Sequence, residues 1–298
     1  MKMKKVLATL TTVVMMMSLA VGCGAPEGEE KNKVEFDSTY EISVVSREDG
    51  SGTRGAFVEL FGIEQKDETG EKVDYTTDEA IITNNTSVMM TTVADDEYAI
   101  GYVSLGSLND TVKALKVDGA EATEENIKNG TYKVSRPFNI ATKGDISEVA
   151  QDFIDFILSK EGQAIVSENK YIALDTADNY AGSKPAGKIV IAGSSSVSPL
   201  MEKLKEAYLE INTNAEIQIQ TNDSTTGMTM PKERTCDIGM ASRDLKEAES
   251  AEGLTGTVIA TDGVAVIVNK VNTMDDITSE QVKNIYMGDV FTWDEIAQ

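Results

Sequence analysis

Three short polar turns, each lying between a predicted strand and a predicted helix, constrain this chain more than any other feature. They are Asp49-Gly50-Ser51-Gly52-Thr53, Gly193-Ser194-Ser195-Ser196-Val197 and Asn222-Asp223-Ser224-Thr225-Thr226-Gly227. Glycine lets a backbone approach a ligand closely, and Ser and Thr supply hydroxyl donors and helix caps. Helix N-termini carry unpaired N–H groups and positive partial charge, so each turn can bind an anion. One such turn alone is more simply a helix cap, but three turns, with Arg47 close before one, predict an anion site.

The pattern of apolar residues predicts an α/β architecture. Apolar or alternating runs at residues 42–45, 188–192, 216–220 and 264–268 are typical of strands. Apolar residues spaced by three and four predict helices over residues 149–157 and 200–211. Strands and helices that alternate along a chain indicate sheets flanked by helices.

The N-terminal residues predict export and a lipid anchor. Lys2, Lys4 and Lys5 precede an apolar run over residues 6–17, and small residues then lead to Cys23. This order is typical of a signal peptide, here residues 1–22, and the run is shorter than the roughly 20 residues that span a bilayer. A buried N-terminal helix is the alternative. Residues 20–23 resemble a bacterial lipobox, with Ala20 where Leu is usual. We therefore expect Cys23 to carry lipid, palmitate included, and residues 23–39 to form an acidic tether outside the cell membrane.

The composition excludes several classes of function. The chain has no His, which removes the Ser-His-Asp triad and the commonest metal ligand. Cys236 is the only Cys besides Cys23, so no internal disulfide is expected once Cys23 is lipidated. The net charge of −23 disfavours nucleic acid as a partner, although it does not decide what a local site binds. We expect no enzyme, cofactor or metal. The alternatives are a secreted hydrolase with Ser51 or Ser195 as nucleophile and a surface protein that has lost binding.

Longer segments give the chain a family resemblance. They include Ser46-Arg47-Glu48-Asp49-Gly50-Ser51-Gly52-Thr53-Arg54, the turn at residues 193–197, and Asp237-Ile238-Gly239-Met240-Ala241-Ser242-Arg243. The chain resembles the phosphate-binding proteins of phosphate-specific ABC transporters over residues 40–296. The resemblance implies a two-lobed, periplasmic-binding-protein-like (type II) α/β fold with crossing hinge strands. It also implies capture of inorganic phosphate for the membrane permease subunits of an ABC importer. Sulfate or another tetrahedral oxyanion is the alternative ligand.

The order of the segments differs from that of the family. The part like residues 188–296 comes first there, and the part like residues 40–174 follows, so the resemblance implies a circular permutation. The linker would be residues 178–187. One lobe would comprise residues 40–137 and 271–298, and the other 138–270, with crossings at 136–138 and 268–270. Tyr40 and Gln298 should then lie close together. A truncated or misassembled chain is the alternative.

The resemblance also implies roles for individual residues. Ligand oxygens would be bound from one lobe by Ser195, Ser196, the Val197 amide, Ser224 and Ser242, and from the other by Ser51, Gly52 and Thr53. Arg47 would supply the charge, and Asp49 would hold Arg47 in place. Better-known members have an Asp that accepts a phosphate proton where this chain has Arg243. Asp262 is our first candidate to replace it, and Asp244 is the second.

Overall fold

The computed structural model describes residues 36–175 and 178–296. The predicted signal peptide, Cys23 and most of the predicted tether lie outside the described residues. Within the described ranges, no helix has the length and apolar character needed to cross a membrane.

Strands and helices alternate along the chain, as predicted. Strands β1 to β13 are Ser43–Arg47, Glu64–Lys66, Lys72–Asp74, Ile81–Thr83, Ala99–Ser104, Lys113–Ala114, Lys116–Val117, Ser135–Lys143, Gly187–Ser194, Ala215–Asn222, Ile238–Ala241, Leu254–Val268 and Asp276–Ile277. Helices α1 to α9 are Gly52–Leu60, Thr86–Asp95, Glu124–Lys128, Glu148–Leu158, Lys160–Glu168, Ser198–Ile211, Ser224–Lys232, Glu247–Ala251 and Ser279–Met287. The four predicted strands and two predicted helices are all present. The strand predicted at 264–268 is the end of the much longer β12.

Most of the strands join one sheet in the order β10-β9-β11-β8-β12-β5-β1-β4, with β6 also paired to β12. Strands β9, β10 and β11 run parallel, and so do β1, β4 and β5. Strand β12 connects the two groups because its first part pairs with β8 and its last part, Val264 to Val268, pairs with β5. The fold is α/β, as predicted.

Two large apolar cores flank this sheet. The first takes residues from 44–134 and again from 264–296, and the second takes residues from 138–260. In the first core Phe57 stacks on Tyr102 with ring centroids 3.9 Å apart, and Tyr286 packs edge-on against Phe57 at 4.7 Å. Trp293 is also fully buried there. The first core therefore depends on residues from both ends of the described chain.

The chain passes between the cores within β8 and within β12. Val134, just before β8, belongs to the first core, and Phe138, within β8, belongs to the second. In β12, Ala260 belongs to the second core and Val264 to the first. This crossing lies several residues before the predicted position at 268–270, because the residues from Val264 onward pair with β5 rather than β8. The lobe limits themselves stay a prediction.

The first and last described segments lie side by side. The Ile42 amide donates to the Phe291 carbonyl at 2.7 Å, and the Asp294 amide donates to the Ser38 carbonyl at 2.9 Å. Gln298 lies outside the described residues, so its predicted closeness to Tyr40 and the exchange of halves both stay predictions. The predicted linker is held by the buried Asp152 carboxylate, which accepts from the Tyr180 hydroxyl at 2.5 Å and the Ser183 amide at 2.9 Å.

We predict that neither half of the chain folds alone. A fragment of residues 36–177 lacks β12, Tyr286 and Trp293 from the first core, and a fragment of residues 186–298 lacks β8 and α4 beside the second. Each fragment should show no near-ultraviolet circular dichroism and no cooperative urea transition, and mixing should restore both. Cooperative unfolding of either fragment by itself would contradict this.

Candidate functional site

Four helices begin at one place in the molecule. Helices α1, α2, α6 and α7 follow strands β1, β4, β9 and β10 respectively. Strands β1 and β4 are parallel neighbours, as are β9 and β10, and parallel strands end at the same edge of a sheet. Three of these junctions are the turns predicted from the sequence. The fourth, Asn84-Asn85-Thr86 before α2, was not predicted, although it has the same order of strand, polar turn and helix.

Helix caps and inward-facing hydroxyls are supplied by different residues. The side chains of Ser51, Asn85 and Asp223 cap α1, α2 and α7 by accepting from backbone amides three residues later. The caps therefore leave the hydroxyls of Thr53, Thr86 and Ser224, which follow them, available for contacts elsewhere. All three of these side chains are buried.

Hydroxyls beside the first core contact hydroxyls beside the second core. Thr53 Oγ1 lies 2.8 Å from Ser196 Oγ, and Thr86 Oγ1 lies 3.2 Å from the same atom. Ser224 Oγ accepts from the Ser242 amide at 3.0 Å and lies 3.3 Å from Ser242 Oγ. Ser195 Oγ lies 3.3 Å from Thr86 Oγ1. We call the following six side chains the hydroxyl cluster: Thr53, Thr86, Ser195, Ser196, Ser224 and Ser242. The structure thus brings together the predicted residues Ser195, Ser196, Ser224, Ser242 and Thr53, and adds Thr86.

Arg47 brings a positive charge to the hydroxyl cluster. Its side chain is only 3% exposed, and its Nη2 donates to Ser195 Oγ at 3.2 Å. The Nε and Nη2 groups also donate to the two Glu48 carboxylate oxygens at 2.7 and 2.6 Å. Such a two-point pair fixes the plane of the guanidinium group. Arg47 therefore contacts the hydroxyl cluster, and its carboxylate partner is Glu48.

The prediction that Asp49 holds Arg47 is wrong. The Asp49 side chain is 97% exposed, and its carboxylate accepts from Arg54 Nη1 at 2.8 Å. Asp49 lies in the turn after β1, where its side chain points to solvent, whereas Glu48 follows Arg47 directly. Ser51 caps α1, and its hydroxyl accepts from the Arg54 amide at 3.3 Å.

The backbones of Gly52 and Val197 lie next to residues of the hydroxyl cluster. A Cβ at Gly52 would lie 2.5 Å from Ser224 Oγ and 2.8 Å from Ser242 Oγ, so only glycine allows the first turn of α1 to approach so closely. The Val197 amide, predicted to bind ligand, donates to the Ser194 carbonyl at 3.1 Å in this structure.

Asp262 and Asp244 make their contacts away from the hydroxyl cluster. Asp262 is fully buried and accepts from Arg136 Nη2 at 3.1 Å and from Ser104 Oγ at 2.9 Å. Burial raises the pKa of Asp262 to about 6, against the opposite effect of Arg136 and Ser104. Asp244 lies 3.5 Å from Asn139 Nδ2. Arg47 is bonded both to the Glu48 carboxylate and to Ser195 of the hydroxyl cluster.

An open cleft of about 820 Å³ leads to these groups, and its walls include Glu48, Thr86, Ser195 and Asp223. Buried hydroxyls, helix N-termini and one guanidinium can together hold a small oxyanion. Among the residues that the structure describes, no three acidic or Cys side chains are grouped as metal ligands would be.

Comparisons with known proteins show the family of the chain. Residues 35–161 and 178–298 match the family model of the PBP superfamily domain. The phosphate-binding protein PstS 2 of Streptococcus agalactiae serotype V is 52% identical over 300 residues, which cover 100% of both chains. PstS 2 of Streptococcus pneumoniae serotype 4 is 42% identical over 297 residues, covering 99% of this chain and 100% of the relative.

A solved structure extends the likeness to three dimensions. It is a phosphate-binding protein of a phosphate ABC transporter from Streptococcus pneumoniae TIGR4, with 45% identity and a TM-score of 0.68. The match covers 86% of this chain and 99% of that one. All three of these relatives are named as phosphate-binding proteins. The two PstS 2 sequences align with this chain from end to end, which requires the same order of segments in all three. Any exchange of halves is therefore shared with these relatives.

We predict that Glu48 and Asp49, although adjacent and equally charged, differ in their effect on stability. Glu48→Gln should lower the free energy of unfolding by about 2 kcal/mol, because the buried Arg47 loses its charged partner. Asp49→Asn should change it by less than about 0.5 kcal/mol, since its pair with Arg54 is exposed. Urea denaturation of both variants measures the difference, and equal losses would contradict the assignment.

Proposed function

The chain belongs to the PBP superfamily, among the phosphate-binding proteins of ABC transporters, and we propose that it captures inorganic phosphate outside the cytoplasm. It would deliver phosphate to the permease subunits of an ABC importer. The observation that carries this proposal is the meeting of Arg47 with Ser and Thr hydroxyls where four helices begin.

The chemistry of these groups suits a tetrahedral oxyanion. Each phosphate oxygen can accept several hydrogen bonds, and hydroxyls from both cores surround the same small region. Helix N-termini add positive partial charge, and the guanidinium adds planar donors. Because these groups are buried, their interactions with an anion are stronger than in water.

A carboxylate beside the ligand would favour phosphate over sulfate. At neutral pH phosphate keeps a proton that a carboxylate can accept, whereas sulfate has none and is repelled. Since Asp262 and Asp244 make their contacts elsewhere, we assign this role to Glu48, which lines the cleft and is bonded to Arg47. Sulfate or another oxyanion is the second candidate ligand.

Calorimetry with phosphate and with sulfate tests the function on the chain from Gly24 onward. Tight phosphate binding with much weaker sulfate binding is the expected result. Equal affinities would indicate a general oxyanion-binding protein, and no binding of either ion would refute the proposal.

We predict that Arg47→Ala weakens phosphate binding by about 3 kcal/mol, or more than a hundredfold, because the anion loses the guanidinium donors and then faces the Glu48 carboxylate without its partner. Arg243→Ala is the matched control, since Arg243 is bonded to Glu249 rather than to the hydroxyl cluster. Calorimetry measures both. Unchanged affinity in Arg47→Ala would remove this residue from the site.

The proposed location is the outer face of the cell membrane, with a lipid anchor on Cys23 after removal of residues 1–22. The order of charged, apolar and small residues before Cys23 supports this, as does the polar composition of residues 23–39. The tether would leave the folded part free to reach the permease.

We predict that Cys23→Ser releases the protein from the membrane or leaves it uncleaved, because the lipid acceptor is gone. Membrane and soluble fractions of cells that produce each form show the distribution. Cys236→Ser, which changes the other Cys, should stay with the membrane. An unaltered membrane fraction in Cys23→Ser would be evidence against the anchor.

A further inference from the structure

We propose that Thr86 is a further ligand-binding residue, whose hydroxyl and backbone N–H donate to the bound phosphate. This inference rests on the function proposed above. It adds helix α2, which the sequence did not predict to take part, to the elements that form the site.

Two N–H donors and one hydroxyl converge on one oxygen beside Thr86. Ser195 Oγ lies 3.4 Å from the Thr86 amide nitrogen, 3.3 Å from Thr86 Oγ1 and 3.2 Å from Arg47 Nη2. The Thr86 amide and Arg47 Nη2 are fixed donors that fill both lone pairs of the Ser195 hydroxyl oxygen, whereas either hydroxyl can donate in the contact between Thr86 and Ser195. A phosphate oxygen is a stronger acceptor, and donors arranged in this way suit it better than a neutral hydroxyl.

The Thr86 hydroxyl has no role within its own helix. Asn85 caps α2 by accepting from the Val88 amide at 2.9 Å, so the hydroxyl of Thr86 is not needed for capping. Thr86 is nevertheless 6% exposed, and Oγ1 contacts Ser195 and Ser196 of the second core. Ser224 directly follows the cap of its own helix in the same way, and Thr53 lies two residues after its cap; both belong to the hydroxyl cluster.

Thr86 is held in a fixed position relative to Arg47. Strand β4 pairs with β1 so that Thr83 lies opposite Arg47. The Glu48 amide donates to the Thr83 carbonyl at 3.0 Å, and Thr83 Oγ1 donates to the Ser46 carbonyl at 2.9 Å. Helix α2 is anchored by the buried side chains Met89, Met90 and Val93. Groups held so firmly can bind a ligand without a further loss of conformational freedom.

Calorimetric titration of the full chain, purified in detergent, with inorganic phosphate tests the inference. Thr86→Val removes the hydroxyl and nearly keeps the shape, and it should weaken phosphate binding roughly tenfold or more. Thr86→Ser keeps the hydroxyl and should bind within about twofold of the unaltered protein. Thr91→Val makes the same change on an exposed position of α2 and should leave the affinity unaltered.

Thr86→Ala is a second variant that lacks the hydroxyl. Urea unfolding shows which of the variants are folded. Weaker binding by a folded Thr86→Val or Thr86→Ala, with Thr86→Ser near normal, supports the inference. Normal affinity in both variants that lack the hydroxyl overturns it while the proposed function stands. If the unaltered chain fails to bind phosphate, the proposed function falls and the inference falls with it.

Discussion

The buried guanidinium of Arg47 is the charge on which the arrangement of the site depends. A buried charge without a partner costs several kcal/mol, and here the Glu48 carboxylate binds it at two points. The backbone of Arg47 is fixed as well, because its amide donates to the Tyr102 hydroxyl at 3.1 Å in the middle of the first core. Its Nη2 group then reaches Ser195, which follows β9 at the edge of the second core. One side chain therefore joins the two halves of the site and sets where an anion can lie.

The strongly acidic composition is compatible with such a site because the donors are mostly dipoles. The pair of Arg47 and Glu48 carries no net charge, so an anion is held largely by hydroxyls and helix N-termini that the fold has already oriented. These dipoles act over a few ångströms in a buried region, where water does not weaken them. Charges on the outer surface are screened over about 10 Å at moderate salt. Net charge therefore bears on solubility and approach, and the local geometry decides what is bound.

The sequence predicted those parts of the fold and site that depend on neighbouring residues. Four of the strands and three of the polar turns follow from local patterns. Helix α2 was missed because its strand has three residues, of which Ile81 and Ile82 are exposed. Glu48 and Asp49 cannot be told apart from sequence, since the backbone direction at the end of β1 decides which carboxylate faces Arg47. The partner of Asp262 is Arg136, which lies 126 residues away and belongs to another strand.

The Arg136–Asp262 pair bears on how the two cores can move. These residues lie opposite each other in β8 and β12, the strands through which the chain passes from one core to the other. Both side chains are almost completely buried, so sliding one strand past the other would separate a buried ion pair at a cost of several kcal/mol. Neutral hydrogen bonds such as that between Thr53 and Ser196 contribute only about 1 kcal/mol each. Each neutral contact across the hydroxyl cluster is therefore weaker than the ion pair that joins the two crossing strands.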